Sequence, residues 1–347
     1  MKNRSFYCVY AAACAPEGGI FRYRLDPDGI LTEEARVPLD CPMYFIKRGD
    51  VFHTLLNAPA SLGGESGYVA CRFGEPVPEP IPTGGKVACH LCEAGGRIYA
   101  VNYVSGSVSE IGGKTVTHAR EMLGSEPWPA QAVAFPPEWQ RQRLTLQSNR
   151  QNAPHTHQIV PSPDGRFLLV ADLGLDAIVV YDLELKLFSF LKMPLKSGVR
   201  HMVFGKKEKN GSYPLYCVCE LDSTVCTLRY RDGQLTFLGA ADSHIARPDN
   251  TAAAIRLSSD GRFLFASHRG DDCVSMFRTE ENAPAEWLFN APCGGNGPRD
   301  FCLTPDDRFL ICANERDGSL SVLSREENGL RFRSKVALPN ALCVLAE

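Results

Sequence analysis

The sequence has no apolar run approaching the ~20 residues that a membrane-spanning helix needs. It also has no excess of positive charge. Its 37 Lys and Arg against 40 Asp and Glu leave a net charge of −3, so no global basic field recruits nucleic acid or an acidic membrane surface. A second Cys-x-x-Cys pair is missing as well. Cys89-His90-Leu91-Cys92 has the spacing of half a zinc site, but positions i and i+3 of a strand point to opposite faces and no partner pair follows, so no metal is expected. With 44% apolar and 22% charged residues, disordered and fibrous readings are also excluded.

Glycine, proline and cysteine are plentiful. Thirty Gly and 24 Pro in 347 residues imply many turns. Fourteen cysteines run from Cys8 to Cys343, mostly inside apolar strand-like stretches such as Cys217-Val218-Cys219 and Ile311-Cys312. That is how free thiols serve as small core residues in a reducing cytosol. Met1-Lys2-Asn3-Arg4, followed by Phe6 to Ala13 and Cys14, imitates a lipoprotein signal, yet its apolar part is short and carries two tyrosines. The expected location is the cytoplasm.

The strongest signal is internal repetition. Asp164-GRFLLVADLGLDAIVVYDL, Asp260-GRFLFASHRGDDCVSMFRT and Asp306-DRFLICANERDGSLSVLSR share one pattern: turn, apolar strand, polar turn, alternating strand. Fainter copies begin near Ser5, Asp50, Gly96 and Tyr213, giving seven. Anchored at Ser5, Val51, Arg97, Arg166, Pro214, Arg262 and Arg308, the spacings are 46, 46, 69, 48, 48 and 46 residues. The long gap predicts an insertion at about 118–150, where EPWPAQAVAFPPEWQRQ shows no strand alternation and reads as a long loop. A period of 40–50 residues with several short strands per unit predicts an all-β, seven-bladed β-propeller forming one domain over residues 1–347. The C-terminal Pro339-NALCVL matches an innermost strand and is expected to join the N-terminal blade, closing the ring and removing exposed sheet edges.

In each unit the start of the innermost strand and the end of the next are neighbours on one mouth of the ring. Counting outward from the turns pairs His157 with Asp172, Arg200 with Glu220, His90 with Asn102, and Arg299 with Asn314 and Glu315, while Arg269 ends its own second strand. Arg150 and His155 stand at the end of the insertion, and His201 follows Arg200. A mouth rich in guanidinium and imidazole suits a small anionic ligand, because Arg offers planar paired donors to carboxylate or phosphate.

Pro154-His155-Thr156-His157, Ala171-Asp172-Leu173-Gly174-Leu175-Asp176, Val199-Arg200-His201, Cys219-Glu220-Leu221-Asp222, Ser267-His268-Arg269-Gly270-Asp271-Asp272 and Pro298-Arg299-Asp300-Phe301 resemble, in order, the lactonase family of seven-bladed propellers. Asn102-Tyr103-Val104-Ser105-Gly106-Ser107-Val108 and Arg150-Gln151 match it too. That family holds the bacterial propeller-type 6-phosphogluconolactonases and the fungal carboxymuconate-cyclising enzymes. The resemblance runs from about Tyr7 to Val344 and departs most in the first blade.

It implies catalytic roles for His157, Arg200, Glu220 and Arg269, the set also reached by counting. His90, Asn102, Arg150, His155, Asp172, His201 and Arg299 are the expected substrate-binding residues. The implied activity is hydrolysis of 6-phosphogluconolactone, a small anionic sugar lactone, without metal or organic cofactor. Glu220 or His157 would take the proton of water, Arg200 or Arg269 would face the oxyanion, and Arg150, Arg299 or His155 would hold the phosphate. The alternatives are a lactone-closing enzyme of the carboxymuconate-cyclising kind and a non-catalytic binding scaffold.

Overall fold

The computed structural model describes residues 6–347 except 133, 135 and 328. The anchor Ser5 and the signal-like Met1–Arg4 lie outside the described residues. Seven antiparallel four-stranded sheets stand around a common axis. Their innermost strands are Ala341–Ala346, Pro42–Arg48, Ala88–Ala94, Thr156–Pro161, Val199–Phe204, Thr251–Leu257 and Pro298–Leu303, which define blades 1 to 7. In blade 1 the C-terminal strand pairs with Tyr7–Ala13, so the chain ends close the ring as its sequence implies. Tyr7 adds a hydroxyl bond to Asp306 of blade 7 at 2.7 Å.

The repeated turn has a local cause. In Ser162-Pro-Asp-Gly-Arg-Phe the Ser162 hydroxyl accepts the Phe167 N–H at 3.0 Å, and Asp164 accepts the Arg166 N–H at 3.2 Å. Ser258 with Asp260 and Thr304 with Asp306 repeat the arrangement. The next residue is left-handed in all three, at φ 71° for Gly165, 82° for Gly261 and 59° for Asp307. Gly adopts this without cost, and Asp is among the few other residues that tolerate it.

Each sheet is covered on both faces by its neighbours, which is why the inner strands read as continuous apolar runs rather than alternating ones. Phe167–Asp172 is buried at every position, whereas the outer Leu187–Lys192 is largely open to solvent. The core is a ring of inter-blade clusters, one of which joins Val9 and Val344 of blade 1 to Phe309 and Ile311 of blade 7.

Two expectations need correction. The insertion is not simply a loop: it holds a 3-10 turn at Arg120–Leu123 and a 14-residue α-helix at Pro137–Arg150. The cysteines are not all free either. Cys14 and Cys41 form a disulfide between blade 1 and the entry to blade 2, and the other twelve are unpaired. No helix is long and apolar enough to cross a membrane among the described residues.

Candidate active site

Six of the seven innermost strands carry a β-bulge near the mouth. Strand pairing passes over Met43, Cys89, His157, Arg200, Arg299 and Leu342, each left without a partner across the ladder. Bulges re-aim side chains, and these six line one tight cavity of about 10 Å³ at the axis, room for about one water molecule. In blade 6 the shift falls later, between Ala252 and Ile255. The small Ala253 there accepts a hydrogen bond from the Arg200 guanidinium, which reaches across from blade 5.

The residue just past the second strand forms a second ring of positions. Tyr103, Leu173, Glu220 and Glu315 each donate a backbone N–H to the carbonyl at the entry of their own innermost strand, as do Cys14 and Asn57. Glu220 is the centre of this ring. Its buried carboxylate lies 2.9 Å from Arg200 Nε, 3.2 Å from Arg269 and 2.7 Å from Arg150. Arg299 pairs with Glu315 at 3.2 Å. The side chains step outward from the fully buried Arg200–Glu220 pair, through Arg269 at 11% exposure, to Arg299 at 21% and Arg150 at 30%.

Four guanidiniums share two carboxylates, which leaves a net surplus of two positive charges. Burial alone would raise the Glu220 carboxyl, but Arg269, Arg150, Arg200 and Arg299 outweigh it and hold it at about 2. Burial, and then Arg269, lower Arg200 against the pull of Glu220, to about 9. Both are therefore charged at neutral pH. His157 is held neutral, far below its ordinary range, by burial and then by Arg200 and the other arginines. Its Nδ1 is buried without a hydrogen-bond partner.

The structure brings His157, Arg200, Glu220, Arg269, Arg150 and Arg299 together. His157, His201 and His90 form a row of buried rings, with centroids 5.3 and 5.6 Å apart in succession. His155 is turned aside. It stacks on Tyr103 at 4.4 Å, and its two ring nitrogens meet the Tyr103 carbonyl and Asn152; it shapes the wall rather than offering a free donor.

Asn102 and Asp172 are corrections. Asn102 is fully buried and bonds Thr83, Ser107 and Ser109. Asp172 accepts the N–H groups of His155 and Leu175 and lies 2.7 Å from His118 Nδ1. Both side chains hold their blades together. The cause is the bulge: one extra residue on the inner strand shifts the reflection about each turn, so the mouth-facing position is the residue after Asn102 or Asp172. A one-residue offset moves a side chain to the other face.

That same offset hid Tyr103, which sits in the slot of Glu220 and Glu315. Its hydroxyl accepts from Arg150 Nε at 2.8 Å and its ring edge meets His157. The clue available in the chain was the position of Tyr103 immediately after Asn102, matching Glu315 after Asn314. Among the described residues no group of His, Cys, Asp and Glu is arranged to hold a metal ion.

A family model described as lactonase, seven-bladed β-propeller, matches residues 75–346. Among curated proteins, an uncharacterised protein of Staphylococcus aureus strain USA300 is 37% identical over 188 residues, 51% of this chain. The match spans about half (53%) of that relative's length. Among solved structures, a Bacteroides fragilis protein provisionally assigned as a 6-phosphogluconolactonase superposes with a TM-score of 0.81 at 20% identity, covering 100% of this chain and 99% of that one. The periplasmic gluconolactonase of Pseudomonas aeruginosa gives 0.78 at 23%, covering 99% of both. At these identities the two structures share the fold with this chain.

Proposed function

Since the chain belongs to the lactonase family of seven-bladed β-propellers, we propose that its mouth opens a phosphorylated sugar lactone by hydrolysis, 6-phosphogluconolactone giving 6-phosphogluconate. The observation that carries this reading is the surplus of two positive charges around one buried carboxylate. A phosphate monoester matches that surplus, and guanidiniums bind it through paired, charge-assisted hydrogen bonds. Arg150 and Arg299, the more exposed of the four, hold the phosphate.

The ester carbonyl lies further in, towards His157. His157 takes a proton from water as the water oxygen bonds to the carbonyl carbon. The tetrahedral oxyanion then faces Arg269 and Arg200, an interaction stronger in the transition state than with the neutral ester. Collapse breaks the bond to the ring oxygen, which recovers the proton from the His157 imidazolium. Glu220 is the fixed counter-ion that keeps three guanidiniums aimed at one point. Of the two candidate bases, geometry favours His157: the Glu220 carboxylate faces three guanidiniums, whereas His157 Nδ1 has no hydrogen-bond partner. We infer a cytoplasmic location from the twelve unpaired cysteines, set against the single Cys14–Cys41 disulfide.

The test is a comparison of 6-phosphogluconolactone with unphosphorylated gluconolactone, the spontaneous rate being subtracted from each. The phosphorylated lactone should have the higher kcat/KM, and Arg150→Met should narrow the gap through KM. Equal kcat/KM for the two lactones, in the wild type and in Arg150→Met alike, would remove the phosphate role.

A further inference from the structure

The helix Pro137–Arg150 ends at the mouth, and its sequence PEWQRQRLTLQSNR has no apolar stripe to dock it. Its innermost residues are Arg143, 2% exposed, and Gln147, 5% exposed. Both grip backbone carbonyls: Gln147 that of Lys196 at 3.3 Å, and Arg143 those of Leu221 and, at 3.3 Å, Asn250. Gln151, just past the helix, donates to the Leu173 carbonyl and to Asp176.

The Arg143 contacts are informative because of where those carbonyls lie. Leu221 is the residue after Glu220. Asn250 is tied on one side to Ser223 of blade 5 and on the other, through its side-chain oxygen, to the Asp271 N–H two residues beyond Arg269. Arg143 also stands two helical turns before Arg150, on the same face. One guanidinium thus joins the segments carrying Glu220 and Arg269 to the helix carrying Arg150. Burial pulls its pKa down, while Asp222, Asp249, Asp271 and Asp242 favour its charged form.

We infer that Arg143 is a positioning residue for the active site: anchored on the Leu221 and Asn250 carbonyls, it holds the Arg150 end of the helix over Glu220. It touches neither substrate nor reacting atoms. The kinetic part of this inference rests on the lactonase reading above; the structural part does not.

The test uses the full-length chain as wild type, Arg143→Met, Arg143→Lys, Arg150→Met and the Arg143→Met/Arg150→Met double variant. Arg143→Met should speed hydrogen exchange of the amides from 144 to 151 at least tenfold. It should also lower kcat/KM for 6-phosphogluconolactone at least tenfold, and the double variant should be no slower than Arg150→Met alone, because both changes act through one contact. Arg143→Lys, which keeps the charge but loses the fork, should fall between, and it carries the same test if the methionine variant does not fold. Unchanged exchange, or kinetic losses that multiply in the double variant, would overturn the inference. If the wild type fails to hydrolyse the lactone, the lactonase reading falls while the exchange rates still decide the role of Arg143.

Discussion

Arg150 and Glu220 meet at 2.7 Å across the mouth, although one ends the inserted helix and the other follows the second strand of blade 5. Their contact is where the insertion and the propeller scaffold become one site. Without the helix, Glu220 would answer to Arg200 and Arg269 alone, and the surplus positive charge would lie deeper and farther from entering ligand.

Replacing Glu220 by Gln keeps the shape and removes the only charge that three guanidiniums share. Breaking a buried pair in this way costs about 3–5 kcal/mol because the remaining charges stay buried. Chemical denaturation should show a loss of that size, and lactone turnover should fall at least 100-fold.

Asn102→Ala should behave in the opposite manner. Its amide satisfies two serines of blade 3 and Thr83 in the link from blade 2, so its loss leaves buried polar groups unpaired at about 1–3 kcal/mol. The melting temperature should drop while KM stays within about twofold of the wild type. A large rise in KM would return Asn102 to the substrate.

That contrast marks what the sequence made legible. Blade number and ring closure could be read because one turn, Ser or Thr with Asp two residues on, recurs three times with little change. The charged residues of the mouth could be read by type, since arginines, histidines and a glutamate recur at strand ends. The facing of individual residues could not. Counting outward from a turn assumes flush pairing, and a bulge beside His157 or Arg200 breaks that assumption by one residue. The helix was hidden because the residues it buries, Arg143 and Gln147, are polar ones that grip carbonyls instead of filling a core. Cys14 and Cys41 lie 27 residues apart in different blades, and only packing of the ring brings them together.

Acid should destabilise the fold from about pH 6.5 downward. His90 and His268 are each held at about 3, chiefly by burial. His157 and His201 are also far below their ordinary value, through burial and then Arg200. Below about pH 6.5 the unfolded chain therefore binds protons that the native histidines refuse, costing about 1.4 kcal/mol per pH unit for each. Asp176, raised by burial to about 7, and Asp222, also raised by burial, act in the other direction, because the native carboxyls bind protons before the unfolded ones do. Four histidines outweigh two aspartates, so the melting temperature should be lower at pH 5 than at pH 7. His268→Asn should make the slope shallower; a flat or rising profile towards acid would refute this balance.

Thiol counting under denaturing conditions should give twelve reactive groups before reduction and fourteen after, the difference being Cys14 and Cys41. Fourteen before reduction, in protein prepared without reductant, would show that the two cysteines stand as thiols.

The most direct test of the account is the rate of 6-phosphogluconolactone opening at pH 7 by the wild type and by His157→Ala, each corrected for spontaneous hydrolysis. His157 makes no ion pair, so its removal should leave the arginine cluster in place. The account predicts a wild-type rate far above background and a variant rate close to it, with little change in melting temperature. A wild-type rate equal to background, or a His157→Ala rate equal to wild type, would contradict it.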